Sequence, residues 1–172
     1  YGIARDVLDA FVRSCAGYCV ATYVLGVGDR HLDNLMLRPD GRLFHIDFGF
    51  ILGADPKPFP PPMKLCREMI EAMGGQGAPE FQLFRTLCCE AYNCLRKSAP
   101  LLLSLFHLMS ASGVAAVRAS PEGAALHLRQ KLRLGFDEEQ AVAWMQALID
   151  ESSSALMPQV IEATHRFAQY WR

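Results

Sequence analysis

The stretch Gly28-Asp29-Arg30-His31-Leu32-Asp33-Asn34 is followed, thirteen positions after Asn34, by Asp47-Phe48-Gly49. Neither half carries weight alone, since Asp, His and Asn are common in polar loops. Together they set a proton acceptor and two oxygen donors at the spacing used for phosphoryl transfer. Residues 34–38 and 42–47 read as two short strands joined at Pro39-Asp40-Gly41, whose residue types suit a tight turn. A hairpin of this kind brings Asn34 and Asp47 side by side. An amide oxygen and a carboxylate suit a hard cation such as magnesium, with manganese as an alternative, because such ions keep several waters and take further ligands from substrate phosphates.

The chemistry around these two ligands asks for a base, because an attacking hydroxyl must lose its proton as bonding to phosphorus begins. Asp29 lies five residues before Asn34, the interval between base and metal ligand in protein-kinase catalytic loops. His31, with an ordinary pKa of about 6.5, is the stronger base near neutral pH. Spacing favours Asp29 and basicity favours His31. Arg30 neutralises Asp29, holds the loop, or is simply structural. Asp47, at a strand end before Phe48-Gly49, is placed to reach a metal that bridges nucleotide phosphates. Met36 and Ile46 are candidates for an apolar floor under an adenine, or for ordinary core. His45 alternates away from Ile46 and reads as structural, and His107, His127 and His165 lack metal-ligand spacing.

Outward from the motifs, 172 residues with 51% hydrophobic content allow one compact unit that buries roughly 70% of its unfolded surface. A net charge of −1 offers no chain-wide basic field, which argues against nucleic acid as the partner. Cys15, Cys19, Cys66, Cys88, Cys89 and Cys94 form no Cys-x-x-Cys pair, so reduced thiols in a cytosolic protein are expected. The most apolar run, residues 101–109, is far short of the roughly 20 residues that span a bilayer, so a soluble or peripheral protein is expected.

Periodicity predicts a helix over residues 4–24, a proline-rich extended loop over 50–63, and helices over 66–73 and 79–97. Pro100 opens a short helix, apolar nearly all round, that is expected in the core. Residues 110–119 read as loose. Ser120-Pro121 then starts a helix to about 133, and Asp137 with Gln140 forms a capping box for one running to about 153. A separate amphipathic segment covers about 156–172, with Pro158 putting its start in doubt. The fold class expected is mainly α with a small β-hairpin.

The order Asp29-Arg30-His31 inverts the His-Arg-Asp of protein kinases, and with Phe44-His45-Ile46-Asp47-Phe48-Gly49 it resembles the phosphatidylinositol 3-kinase superfamily. Ile51-Leu52-Gly53, Asp55-Pro56-Lys57-Pro58 and Pro60-Pro61-Pro62-Met63-Lys64-Leu65 resemble the activation loop of its class III members, the vacuolar protein sorting lipid kinases. Met73-Gly74-Gly75, Leu148-Ile149-Asp150-Glu151-Ser152 and Phe167-Ala168-Gln169-Tyr170-Trp171-Arg172 are similar to the same class.

The resemblance implies that residues 1–172 are the helical C-terminal lobe of a bilobal, protein-kinase-like (α+β) fold. Its catalytic loop would cover 28–34, its activation loop 47–65 and its terminal helix about 156–172. It implies His31 as base on the inositol 3-hydroxyl, with Asp29 as support or alternative, and Asn34 and Asp47 as metal ligands. Met36, Ile46, Phe48 and Gly49 would lie at the nucleotide, with ATP as donor and phosphatidylinositol as acceptor. Lys57 and Lys64 would meet the headgroup, although Ala54 stands where the class usually has a basic or polar residue. Phe167, Tyr170 and Trp171 would touch the membrane.

Endosomal and autophagic membranes, a regulatory serine/threonine kinase subunit and Beclin-like subunits follow from the same resemblance. A related protein kinase and a non-catalytic kinase-lobe scaffold are the alternatives. Tyr1-Gly2-Ile3 leads almost directly into helix without an initiating Met, and no glycine-rich phosphate loop or upstream strand lysine occurs. The N-terminal lobe is therefore expected to be absent, and residues 1–172 alone should give no detectable ATP-dependent phosphorylation of phosphatidylinositol vesicles. Robust product formation by the isolated chain would refute this.

Overall fold

The computed structural model describes residues 2–56 and 60–170, with side chains at all of these but 110 and 155–170. Helix α1, Arg5–Leu25, turns Val12, Cys15, Ala16, Cys19, Val20 and Tyr23 inward. This three- and four-residue spacing gives the helix one continuous apolar face. Against it lies α3, Pro79–Lys97, with Phe81, Phe84, Cys88 and Tyr92 buried. Met145 and Ile149 of α7, Glu138–Tyr170, join the same core from behind α3. Tyr92 donates its hydroxyl to the Lys131 carbonyl at 2.7 Å, and Trp144 donates Nε1–H to the Tyr23 hydroxyl at 3.0 Å. The two buried aromatic polar tips are thus satisfied, as burial requires.

A short 3-10 turn, Leu32–Asn34, leads into an antiparallel ribbon of β1, Leu35–Leu37, and β2, Leu43–His45. Leu35 pairs with His45, Met36 with Phe44, and Leu37 with Leu43. The ribbon rests on α1: Leu43 N–H donates to Ser14 Oγ at 2.9 Å, and the His45 ring lies 5.3 Å from that of Tyr18. Gly41 has φ +86, and a Cβ there would lie 2.1 Å from the Val7 carbonyl oxygen, so the turn needs glycine for both conformation and approach. After the proline-rich loop come α2, Arg67–Ala72, then α4, Ala99–Leu108, α5, Ala115–Ala119, and α6, Pro121–Leu132.

Two predicted caps are present. Ser120 Oγ accepts from Gly123 N–H at 3.1 Å, and the Asp137 and Gln140 side chains each take the other's backbone N–H. The anticipated loose segment contains α5, anchored by buried Val117. The expected core position of α4 is corrected: Leu101, Leu105 and Leu108 are 61%, 45% and 73% exposed, while Leu102, Leu103 and Phe106 face the core. Apolar residues all round permit burial but do not supply a neighbour for each face.

The anticipated division near residue 153 is also corrected, because α7 continues to Tyr170 through Pro158. Ser153 and Ser154, where the sequence reading ends one helix, donate to the carbonyls of Ile149 and Asp150 at 2.7 Å and stay helical. Ser152 Oγ instead accepts the Met63 N–H at 3.1 Å, fixing the end of the proline-rich loop to α7.

All six cysteines are free thiols. Cys15, Cys19, Cys88 and Cys89 are buried, Cys66 is half-buried and Cys94 is exposed. Burial raises the pKa of the four buried thiols and pushes Cys66 up to about 11. Among the described residues no group of His, Cys, Asp and Glu is arranged to hold a metal by itself.

These placements set two stability expectations. Phe84→Ala, at a fully buried site, should cost about 3–5 kcal/mol in chemical unfolding, whereas Leu101→Gln should change it by no more than about 0.5 kcal/mol. His45 is 4% exposed with neither ring nitrogen hydrogen-bonded, and burial, helped by the Arg30 charge, lowers its pKa from 6.5 to about 4. Between those values the unfolded chain takes up a proton that the folded chain refuses. Stability should therefore fall by roughly 3 kcal/mol as pH drops from 6.5 to 4 and then level off at this position. His45→Phe should flatten that limb in unfolding curves recorded across the same range.

Candidate active site

The site begins where α1 stops. Gly26, in the left-handed region at φ +58, returns its N–H to the last turn of the helix. Three backbone bonds of 2.9 Å then join the segment to the chain beyond Phe48: Leu52 to Leu25, Gly53 to Gly26, and Gly28 to the Phe50 carbonyl. A Cβ at Gly28 would stand 2.1 Å from the Ala54 oxygen, so only glycine permits the two loops to lie flush. The catalytic segment therefore starts from a position set by main chain.

Asp29 follows at φ +51, and its carbonyl accepts the Asn34 Nδ2–H at 2.7 Å. Asn34 is 7% exposed, and its Nδ2 also lies 3.2 Å from His31 Nε2. An amide nitrogen only donates, so the imidazole lone pair sits on Nε2 and its hydrogen on Nδ1. Nδ1 is 3.6 Å from an Asp33 carboxylate oxygen, and Nε2 is 3.9 Å from one of Asp29. His31 thus stands half-exposed between two acids, with its basic nitrogen turned to Asn34.

Arg30 resolves the alternatives left open for it. Its guanidinium donates to the carbonyls of Gly28 at 2.7 Å, Ile46 at 2.6 Å and Asp47, and lies 5.6 Å from the Phe48 ring centre. It is a brace between the two motifs, committed to main-chain oxygens. Burial lowers its pKa, against the opposing pull of Asp47, Asp29 and Asp55.

The ribbon continues one step beyond its regular pairs, with Ile46 N–H donating to the Asn34 carbonyl at 3.0 Å. Asp47 thereby leaves the ribbon beside Asn34, at φ +57, exposed, its Oδ1 accepting the Gly49 N–H at 3.2 Å. Asn34 has committed its amide hydrogens to Asp29 and His31, which leaves Oδ1 as its free donor atom. Amide oxygen plus carboxylate fits a divalent hard cation that completes its shell with water and phosphate. Met36, Ile46 and Phe48 are 46%, 38% and 52% exposed, which removes the ordinary-core reading of Met36 and Ile46 and leaves an apolar surface beside Asn34 and Asp47.

The residues anticipated for the headgroup and membrane stand differently. Lys57 and Trp171, and the side chains of Phe167 and Tyr170, lie outside the described residues. Lys64 is corrected: its ammonium is 2.9 Å from Asp55 Oδ2, with the two side chains 12% and 6% exposed, so it is a paired group within the loop and not an open cation. The sequence reading gives no positioning or site role to Asp55, Lys131 or His127. Lys131 holds its ammonium 4.6 Å from the Tyr23 ring centre at a cavity of about 180 Å³ shared with Lys64 and Pro61; burial and the charges of Lys64 and Arg133 lower its pKa. His127 fills the space over Gly26 and Gly53. Only the two glycines, each at positive φ, signalled that another side chain comes close there.

Comparison with known proteins agrees with this geometry. The family described as phosphatidylinositol 3- and 4-kinase matches residues 4–119. Over its whole length the chain is 59% identical to the phosphatidylinositol 3-kinase VPS34 of Arabidopsis thaliana, covering 21% of that protein. It is 54% identical to VPS34 of Saccharomyces cerevisiae over 99% of the chain and 20% of the relative, and 48% identical to the phosphatidylinositol 3-kinase pik3 of Schizosaccharomyces pombe over 100% and 22%. The chain spans about a fifth of the length of the curated relatives it matches. With Asp29, His31, Asn34 and Asp47 gathered on one ribbon and its lead-in loop, and with the family match covering that whole region, the chain belongs to the phosphatidylinositol 3- and 4-kinase family.

Proposed function

We propose that this chain is the helical C-terminal lobe of a lipid kinase that moves the γ-phosphate of ATP to the 3-hydroxyl of phosphatidylinositol. The observation that carries the reading is the joint placement of His31 Nε2, Asn34 and Asp47 at one end of the ribbon. His31 accepts the hydroxyl proton at Nε2, whose lone pair passes from the Asn34 N–H to the incoming hydroxyl as substrate binds, and Asp29 and Asp33 flank the imidazolium that results. Asn34 Oδ1 and the Asp47 carboxylate hold a divalent cation, with magnesium the natural choice and manganese a substitute. When bound, that ion offsets charge on the transferring phosphate. Met36, Ile46, Phe48 and Gly49 border the nucleotide, and Arg30 keeps the two motifs in register.

The acceptor assignment draws support from loop charge. Across residues 54–64 the charged residues are Asp55, Lys57 and Lys64, and Asp55 and Lys64 neutralise each other. A headgroup bearing several phosphates needs a denser basic cluster, whereas the single diester of phosphatidylinositol does not. The relatives named as phosphatidylinositol 3-kinases point the same way.

Among the described residues no helix is long and apolar enough to cross a membrane. By resemblance to the class III lipid kinases, the reading includes a peripheral position on endosomal and autophagic membranes, with contact through Phe167, Tyr170 and Trp171. It also includes a regulatory serine/threonine kinase and Beclin-like subunits as partners. In the full-length protein, assayed on phosphatidylinositol vesicles, Asp47→Asn and His31→Ala should each cut phosphatidylinositol 3-phosphate formation by about 10² or more. Activity that survives both changes, or phosphorylation of peptide in preference to lipid, would overturn the proposal.

A further inference from the structure

The ion pair between Lys64 and Asp55 is nearly enclosed, with side chains 12% and 6% exposed. Taking two charges out of water rarely adds stability over a well-packed apolar pair, so an enclosed ion pair calls for another explanation. One is visible in the partners of a single atom. Asp55 Oδ2, 2.9 Å from Lys64 Nζ, also accepts the backbone N–H of Asp29 at 3.2 Å. Asp29 stands at φ +51, a conformation that an L-residue keeps only when its surroundings over-determine it. The preceding Gly28 lies so close to the same loop that a Cβ would be 2.9 Å from Asp55 Cα.

From Asp29 the hydrogen bonding continues to the chemistry. Its carbonyl orients Asn34 Nδ2 at 2.7 Å, and Asn34 Nδ2 lies 3.2 Å from His31 Nε2. We infer that Lys64 and Asp55 are a positioning pair: Lys64 fixes and aims the Asp55 carboxylate, Asp55 holds the strained Asp29 backbone, and Asp29 thereby sets Asn34 and His31. The end of the proline-rich loop is in turn tied to α7, where Met63 N–H meets Ser152 Oγ at 3.1 Å, so the lysine next to it is delivered from a fixed point. The inference rests on the function proposed above and gives Lys64 a role in turnover in place of one in headgroup capture.

The test is a double-variant cycle in the full-length protein, with lipid phosphorylation on phosphatidylinositol vesicles and lipid-free ATP hydrolysis read in parallel. Lys64→Met should lower kcat in both assays by about 10- to 100-fold, the scale of a misplacement near 1 Å, with the KM for phosphatidylinositol changed less than about two-fold. Combining Lys64→Met with Asp55→Asn removes both charges yet keeps an oxygen for the Asp29 N–H. The double variant should regain about ten-fold of the lost kcat, a rescue that direct lipid contact cannot produce.

A raised lipid KM with lipid-free hydrolysis intact would overturn the inference, as would an unchanged kcat or a double variant no better than Lys64→Met. Should Lys64→Met fail to fold, the double variant decides: a kcat within about ten-fold of wild type supports the pair and a greater loss refutes it. A wild-type protein that makes no phosphatidylinositol 3-phosphate would count against the proposed function, while the lipid-free assay would still read the pair.

Discussion

The site depends on the main-chain seam between residues 25–28 and 50–53. Three bonds of 2.9 Å and one glycine with no room for a side chain hold the two motif-bearing loops in contact. Because the donors and acceptors are backbone groups, the seam is indifferent to most side-chain identity; its demands fall on conformation. Those demands appear as left-handed residues at Gly26, Asp29, Asp47, Leu52 and Gly53. Each non-glycine residue in that region costs on the order of 1–2 kcal/mol, and the surrounding contacts over-determine it. The cost is concentrated where the chemistry is, as expected when local geometry serves reactivity more than stability.

Electrostatics around the seam are managed pairwise. Arg30 spends its donors on carbonyls, Lys64 answers Asp55, and His31 lies between Asp29 and Asp33. No large single-signed field results, in keeping with a net charge of −1. Under the proposed function, the acids at the ribbon's end would then be left to the cation and phosphate. A surface of strong uniform charge would compete with that selectivity.

Much of this was legible in the residues. The helices of 5–25 and 79–97, the ribbon, the Ser120 cap and the Asp137–Gln140 box all follow from local signals, because spacing, turn residues and capping side chains act within a few positions. What escaped depends on partners distant in the chain. Whether the Leu101, Leu105 and Leu108 face is covered depends on neighbours that its own pattern does not name. The helix end expected near residue 153 does not occur; there Ser152 accepts from Met63 N–H and Ser153 and Ser154 bond back along α7. Lys64 looked available for a headgroup because its partner, nine residues earlier in the loop, becomes its partner only once the loop folds back on Gly28.

The thiol arrangement has a practical corollary. Burial keeps Cys15, Cys19, Cys88 and Cys89 protonated, the half-buried Cys66 is likewise raised, and Cys94 alone of the six is exposed. Maleimide and nitroxide reagents attack accessible thiolates, so the native chain offers a near-single attachment point on the outer side of α3. A fluorophore or spin label placed there would report on the surroundings of α3 without any engineered cysteine in this chain and without touching the ribbon.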